Sequence, residues 1–218
     1  MFSAVLFDHD GTLVDSEKVH FELWSKAVAA FGVTITEQEY IDEFLGIPAD
    51  ENARLLIRKH SLSISVDDLL TKKDELGAAF IAQGCFPACA YANELVAKVA
   101  ERVPCGIVSG AQRFFVMSSV AAHGWEPAMK VIVTADEVAN NKPAPEGYLK
   151  GMKALGVNGD SCVALEDTAT GLKAALAAGM SAIAIRHAFN ATHDFSQATV
   201  VVDSLEEAWH WLESRLAA

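Results

Sequence analysis

From about residue 90 onward, the sequence alternates short apolar runs with amphipathic stretches of helical length. Strands separated by helices of roughly 10–15 residues form right-handed βαβ units and a mainly parallel sheet. An earlier apolar run at residues 4–7 has the continuous hydrophobicity of a strand buried on both faces. The sequence therefore predicts an α/β fold with a Rossmann-like parallel-sheet core. The later strands are predicted at residues 105–108, 131–133, 162–165, 182–185 and 200–202.

Between the first strand and this alternating region, the pattern is entirely helical. Apolar residues recur at helical spacing from Val19 to Phe31, and Thr36 with Glu39 forms a capping-box signature for a second helix. Further helices are predicted at about residues 50–60 and 66–83. We therefore expect a core domain made of residues 1–14 and 85–218, interrupted by an inserted all-helical domain at residues 15–84.

Composition and charge exclude several classes of function. The chain has 218 residues and a net charge of −12, which argues against nucleic acid as a partner, because nucleic-acid phosphates are bound by basic patches. Its apolar runs fall short of the ~18 residues that a membrane helix needs, so we expect no membrane partner and a cytoplasmic location. The four cysteines show no Cys-x-x-Cys pairing and are interpreted as packed thiols.

Two carboxylates stand directly after the first strand. Asp8 and Asp10 are followed by Gly11 and Thr12, and in an extended chain both acids can point to one side while His9 points to the other. Like charges about 4 Å apart repel by roughly 4 kcal/mol at an effective dielectric constant near 20. A polar turn gains nothing from this repulsion, whereas a bound divalent cation, or a proton carried by one acid, would relieve it.

Three other strand ends carry candidate site residues, because ligands bind at the carboxyl ends of parallel strands. Ser109 and Gly110 could hold phosphate oxygens, although a plain turn also explains them. Lys142, in Lys-Pro-Ala-Pro, is a fixed cation at a helix start, or else a solvated lysine. Glu166 and Asp167 could complete a Mg²⁺ site, and Asp167 could instead cap the following helix.

These motifs resemble those of the haloacid dehalogenase-like superfamily of phosphotransferases, and most closely its β-phosphoglucomutase-like phosphatases. The first motif is similar to Asp8-His9-Asp10-Gly11-Thr12, the second to Ser109, the third to Lys142-Pro143-Ala144-Pro145 and the fourth to the run that begins at Glu166-Asp167. The motifs occur in the family's order, and the helical insertion matches the family's cap domain in position and length. Because dehalogenases and phosphonatases lack the second acid, Asp10 favours a phosphatase.

The resemblance implies a mechanism. Asp8 would be the nucleophile that forms an aspartyl-phosphate, and Asp10 would be the general acid and base. One set of residues would bind Mg²⁺, and a second set would bind the phosphate. The expected metal ligands are Asp8, Asp10 (through its backbone carbonyl), Glu166 and Asp167, and the expected phosphate-binding residues are Thr12, Ser109, Gly110 and Lys142. We expect a monomer that hydrolyses a small phosphorylated metabolite, with sugar phosphates ranked first.

Two alternatives remain open at this point. A phosphosugar mutase would need cations in the cap loop, where Leu45 and Ala49 stand instead, and a non-catalytic phosphate-binding scaffold would not need the four catalytic motifs. His9 occupies a position that the family usually fills with an apolar residue, and we interpret it as a packed histidine pointing away from the site. His20 on the first cap helix has no assigned role, and neither do the cap arginines Arg54 and Arg58.

Overall fold

The structure, a computed structural model, describes residues 1–45 and 47–217. Within these residues six parallel strands form one sheet in the order β3-β2-β1-β4-β5-β6. The strands are β1 (Ala4–Phe7), β2 (Cys105–Val108), β3 (Met129–Val133), β4 (Cys162–Glu166), β5 (Ser181–Ile185) and β6 (Val200–Val202). The predicted α/β fold class is confirmed.

The first strand lies in the middle of the sheet. Val5 is in register with Cys105 of β2 on one side and with Val163 of β4 on the other. All four residues of β1 are buried, as expected for a strand covered on both faces. The carboxyl ends of β2, β1 and β4 therefore meet at one edge of the sheet.

The chain divides into two compact units, which we name the core unit (Met1–Asp15 and the chain from Pro87 onward) and the helical unit (Ser16–Phe86). In the core unit, α7 (Glu146–Leu155) packs closely on the sheet because Gly151 lies against Leu6 and Val108, where a Cβ would meet their methyl groups at 3.0–3.2 Å. The helices of the core unit are α5 (Ala92–Ala100), α6 (Arg113–Ala122), α7 (Glu146–Leu155), α8 (Ala169–Ala177) and α9 (Leu205–Leu212).

The helical unit has its own apolar core. Its helices are α1 (Glu17–Ala29), α2 (Glu37–Glu43), α3 (Ala49–His60) and α4 (Val66–Ile81). Trp24, Tyr40 and Leu56 are buried together in that core. The predicted capping box is present at α2, where Thr36 Oγ1 accepts from the Glu39 N–H and the Glu39 carboxylate accepts from the Thr36 N–H. The domain limits expected from the sequence, 1–14 with 85–218 and 15–84, stay a prediction.

Two details differ from the sequence prediction. The pattern Ser204-x-x-Glu207 predicts a capping box at the start of α9, and this box is half formed: Ser204 Oγ accepts from the Glu207 N–H, but the Glu207 carboxylate accepts from the Asp203 N–H instead of the Ser204 N–H. Glu166 is the last residue of β4 and not the first residue after it. All four cysteines are free thiols, and burial raises the pKa of Cys105 and of Cys162 to about 12. None of the described helices is long and apolar enough to span a membrane.

Candidate active site

The candidate site lies at the carboxyl ends of the three central strands. Asp8 follows β1, Ser109 follows β2, Glu166 ends β4 and Asp167 follows it. The Asp8 N–H donates to the carbonyl of Leu165, at 2.9 Å, which continues the β1–β4 pairing to the acid itself. The sheet order thus brings together side chains that are up to 159 residues apart in the sequence.

A tight turn after β1 allows the chain to pass beside Asp167. The carbonyl of His9 accepts hydrogen bonds from the Leu13 and Val14 N–H groups, and Gly11 adopts a positive φ of 70°. A Cβ on Gly11 would lie 2.0 Å from Asp167 Oδ2, so the turn requires glycine for its conformation and for space. The turn directs the buried Thr12 hydroxyl toward Asp167 Oδ1, at 3.4 Å.

Three buried carboxylates form what we name the acidic cluster: Asp8, Glu166 and Asp167. One oxygen from each lies within 4.8 Å of the others. Burial raises the pKa of Asp8 well above its usual range, and Lys142 partly opposes this shift. Burial, followed by repulsion from Glu166, raises the pKa of Asp167 in the same way. The surroundings of both carboxyls therefore disfavour their charged forms.

Lys142 is the cation within this cluster. Its Nζ contacts the Asp8 carboxylate, lies 2.7 Å from Glu166 Oε1 and donates to the Val108 carbonyl at 2.8 Å. Burial acts to lower the pKa of Lys142, but attraction to Asp8 and Glu166 outweighs it, so the net pKa is raised. The lysine is therefore charged and held in place, unlike a solvated lysine at a helix start.

Asp10 lies beside Ser109 at the more open side of the site. Its side chain is 21% exposed, and its Oδ2 lies 3.5 Å from Ser109 Oγ and 3.1 Å from His9 Nδ1. Ser109 Oγ also accepts from the Ala111 N–H at 2.9 Å, and Gly110 is exposed. The expectation that His9 points away from the site is wrong. His9 is buried, but the turn that begins at its carbonyl brings its ring to the Asp10 carboxylate.

Three residues that the sequence analysis missed hold the acidic cluster in place. Tyr148, buried in α7, donates to Glu166 Oε1 at 2.5 Å, and Lys142 Nζ lies 5.2 Å from the centre of its ring. His187 Nε2 lies 3.0 Å from Asp167 Oδ2, and the Asn190 amide donates to the Asp167 carbonyl at 2.8 Å. His187 and Asn190 follow β5, so the strand-end rule could have identified them. No local sequence pattern indicates that Tyr148 belongs to the site.

The residues of the acidic cluster fit a hard divalent cation. Three carboxylates supply oxygen ligands, which Mg²⁺ prefers over nitrogen or sulfur. Burial and neighbouring carboxylates raise the pKa values of Asp8 and Asp167, and a bound cation would stabilise the charged forms of both groups. The Asp10 side chain is not part of the cluster found among the described residues.

Comparison with known proteins agrees with this geometry. The sequence profile of the haloacid dehalogenase-like hydrolases matches residues 5–185. Validoxylamine A 7'-phosphate phosphatase of Streptomyces hygroscopicus subsp. limoneus is 32% identical over 95% of this chain and 96% of its own length. Fructose-1-phosphate phosphatase YqaB of Escherichia coli is 27% identical over 85% of this chain and 97% of its own.

A solved structure extends the similarity to three dimensions. The crystal structure of CbbY from Rhodobacter sphaeroides in complex with phosphate has a TM-score of 0.85 and 27% identity, and the match covers 95% of this chain and 96% of that one. A CbbY variant has been solved with xylulose-(1,5)bisphosphate, with a TM-score of 0.84.

The chain belongs to the haloacid dehalogenase-like hydrolase family. Within that family it is a phosphatase, a phosphoric monoester hydrolase, which confirms the family and the enzyme class predicted from the sequence motifs.

Proposed function

We propose that this phosphatase hydrolyses a small phosphorylated sugar through an aspartyl-phosphate formed on Asp8, with Mg²⁺ as cofactor. The observation that carries the proposal is the position of Asp8. It is a buried carboxylate in contact with Lys142, two residues before an acid that remains partly exposed. A nucleophile must be ionised, and the Lys142 ammonium stabilises the charged form of Asp8 against the effect of burial.

The proposed reaction has two steps. In the first, an Asp8 oxygen bonds to phosphorus as the bond from phosphorus to the sugar oxygen breaks, and Asp10 gives that oxygen a proton. In the second, water attacks the aspartyl-phosphate, Asp10 takes a proton from it, and inorganic phosphate leaves with Asp8 regenerated. Proton transfer of this kind is worth roughly 10²–10⁴-fold in rate.

The remaining candidate residues bind the phosphoryl group or the cation. Lys142, the Ser109 hydroxyl and the N–H of Gly110 would hold the phosphoryl oxygens, and Thr12 would support them through Asp167. Asp8, Asp167 and Glu166, with the backbone carbonyl of Asp10, would hold the Mg²⁺ ion. When bound, the cation supplies positive charge that offsets the charge on the phosphoryl oxygens.

The names of the relatives support the class of substrate. One acts on validoxylamine A 7'-phosphate, one on fructose 1-phosphate, and a CbbY variant has been solved with a bisphosphorylated sugar. All three names describe sugar-like molecules that carry phosphate. A panel of sugar phosphates, nucleotides and short acyl and amino-acid phosphates, assayed with Mg²⁺, tests this proposal. The highest kcat/KM is expected for a sugar phosphate, and a preference for nucleotides would contradict it.

Removing the metal is expected to abolish turnover. After exhaustive EDTA treatment and dialysis, phosphate release from a generic phosphomonoester should fall to background, because the acidic cluster then repels the substrate. Mg²⁺ should restore the activity, and Ca²⁺, which is larger and takes more ligands, should restore less. Undiminished turnover in the dialysed protein would refute the metal dependence.

The protein is expected to be a phosphatase and not a mutase. A mutase needs cap cations to neutralise the second phosphate of its bisphosphate intermediate, but Leu45 and Ala49 occupy the two matching positions. Arg54, the nearest arginine in sequence, is already paired with Asp50 at 2.6 Å and with Glu51 at 3.5 Å. Incubation with glucose 1-phosphate and glucose 1,6-bisphosphate should yield free phosphate at most. Glucose 6-phosphate appearing faster than phosphate would indicate a mutase.

A further inference from the structure

His9 is placed against Asp10 and not among apolar side chains alone. The His9 side chain is fully buried, whereas the Asp10 side chain is 21% exposed, and His9 Nδ1 lies 3.1 Å from Asp10 Oδ2. Nδ1 and Oδ2 are within hydrogen-bond distance, and the histidine tautomer with its proton on Nδ1 donates to the Asp10 carboxylate. A histidine that served packing alone would not need the one partly exposed acid of the site as its partner.

The position of the histidine is fixed by its surroundings. Its backbone carbonyl accepts from the Leu13 and Val14 N–H groups, at 2.9 and 3.0 Å, so the turn holds the main chain. The buried ring has little freedom to change rotamer in a close-packed interior. Ser109 Oγ lies 3.5 Å from the same Asp10 oxygen, from the neighbouring strand. His9 Nδ1 and Ser109 Oγ both approach Oδ2, and of the two the histidine nitrogen is the nearer.

We propose that His9 is a positioning residue that holds the Asp10 carboxylate in the orientation needed for proton transfer. The inference rests on the proposed function of Asp10 as general acid and base. An unrestrained aspartate side chain occupies several rotamers, and a proton donor displaced by about 1 Å can lose up to ~10²-fold in rate. His9 contributes by restricting that motion, without contacting the substrate.

The experiment compares two substrates that differ in whether the departing oxygen needs a proton. An alkyl phosphate requires a proton on its departing oxygen, whereas 4-nitrophenyl phosphate releases a stable anion. Single-turnover rates of leaving-group release, measured with saturating Mg²⁺, give the ratio of the alkyl rate to the nitrophenyl rate. Misplacing Asp10 should lower this ratio, whereas general damage to the site lowers both rates and leaves the ratio unchanged.

His9→Leu removes the donor and is expected to lower the ratio about tenfold, which is less than the ~10²–10⁴-fold that the whole of acid–base catalysis contributes. His9→Asn keeps an N–H close to the position of Nδ1 and should stay within about threefold of the wild type. Should the leucine variant fail to fold, His9→Gln serves instead, because its longer side chain carries the amide beyond Nδ1. Equal ratios in the wild type, the asparagine variant and the donor-lacking variant would overturn the proposal.

Asp10→Asn separates this inference from the proposed function. It should lower the same ratio by at least ~10²-fold, because it removes the acid itself. If Asp10→Asn leaves the ratio unchanged, the assignment of Asp10 is wrong, and the role of His9 is wrong with it. If Asp10→Asn lowers the ratio and His9→Leu does not, Asp10 keeps its role and only the inference about His9 is refuted.

Discussion

Asp8→Asn is expected to reduce turnover to background while the protein remains folded. The amide nitrogen and oxygen cannot replace a carboxylate as the nucleophile, so the aspartyl-phosphate cannot form. Asparagine has the shape of aspartate and is neutral, so it fits a buried site in which the pKa of Asp8 is already raised by burial. Phosphate release from the best sugar phosphate measures the turnover, and the far-ultraviolet circular dichroism spectrum shows whether the variant is folded.

The matched control is Asp10→Asn, two residues further along the chain. It should still bind substrate, but turn over at least ~10²-fold more slowly, because the nucleophile is intact and the proton carrier is lost. Acid-quenched wild-type protein should contain a phosphorylated peptide that includes Asp8, and Asp8→Asn should not. Wild-type turnover in Asp8→Asn would exclude the covalent mechanism.

Lys142→Met is expected to damage both stability and activity. It leaves Asp8 and Glu166 buried without their cation, and breaking a buried ion pair from one side costs about 3–5 kcal/mol. It also removes a charge from the proposed phosphate site, for which a loss of roughly 10²–10³-fold in kcat is typical. Urea unfolding of the metal-free protein and steady-state kinetics with Mg²⁺ measure the two effects.

Lys150→Met, in α7, is the control for Lys142→Met. Lys150 also forms an ion pair, with Glu146 at 2.9 Å, but its side chain is 47% exposed. An exposed pair of this kind contributes at most about 1 kcal/mol, so this substitution should change stability little and kcat not at all. Equal losses in the two variants would show that Lys142 does not stabilise the acidic cluster.

The sequence predicted the strands and the residues at their ends well, because both depend on local patterns. Continuous apolar runs marked β1, β2 and β4, and Asp8, Ser109 and Glu166 follow those runs directly. The carboxyl-end rule then placed them together without any knowledge of distances. The family resemblance added their proposed roles, and the comparisons confirm the family itself.

The contacts that hold the site were beyond sequence reasoning, because they depend on packing between distant elements. Tyr148 belongs to the buried face of α7, where its ring fits an ordinary core pattern, and only the packing of α7 on the sheet brings its hydroxyl to Glu166. The direction of the His9 side chain is also beyond the sequence pattern, for a related reason. Strict alternation of side chains holds for extended chain, but the tight turn after β1 ends that alternation at Asp10.

The central position of β1 also has a consequence for how a new chain acquires its structure during synthesis. Val5 pairs with residues 105 and 163, so β1 leaves the ribosome long before either neighbouring strand exists. The helical unit is contiguous in sequence and rich in local contacts, which favours early folding. The apolar strand that precedes Asp8 must therefore wait, unpaired and prone to aggregation, until about half of the chain has been made, and for its second neighbour until about three-quarters has been made. The active site therefore forms late. A prematurely terminated chain can contain a folded helical unit while Asp8 lacks the other carboxylates of the acidic cluster.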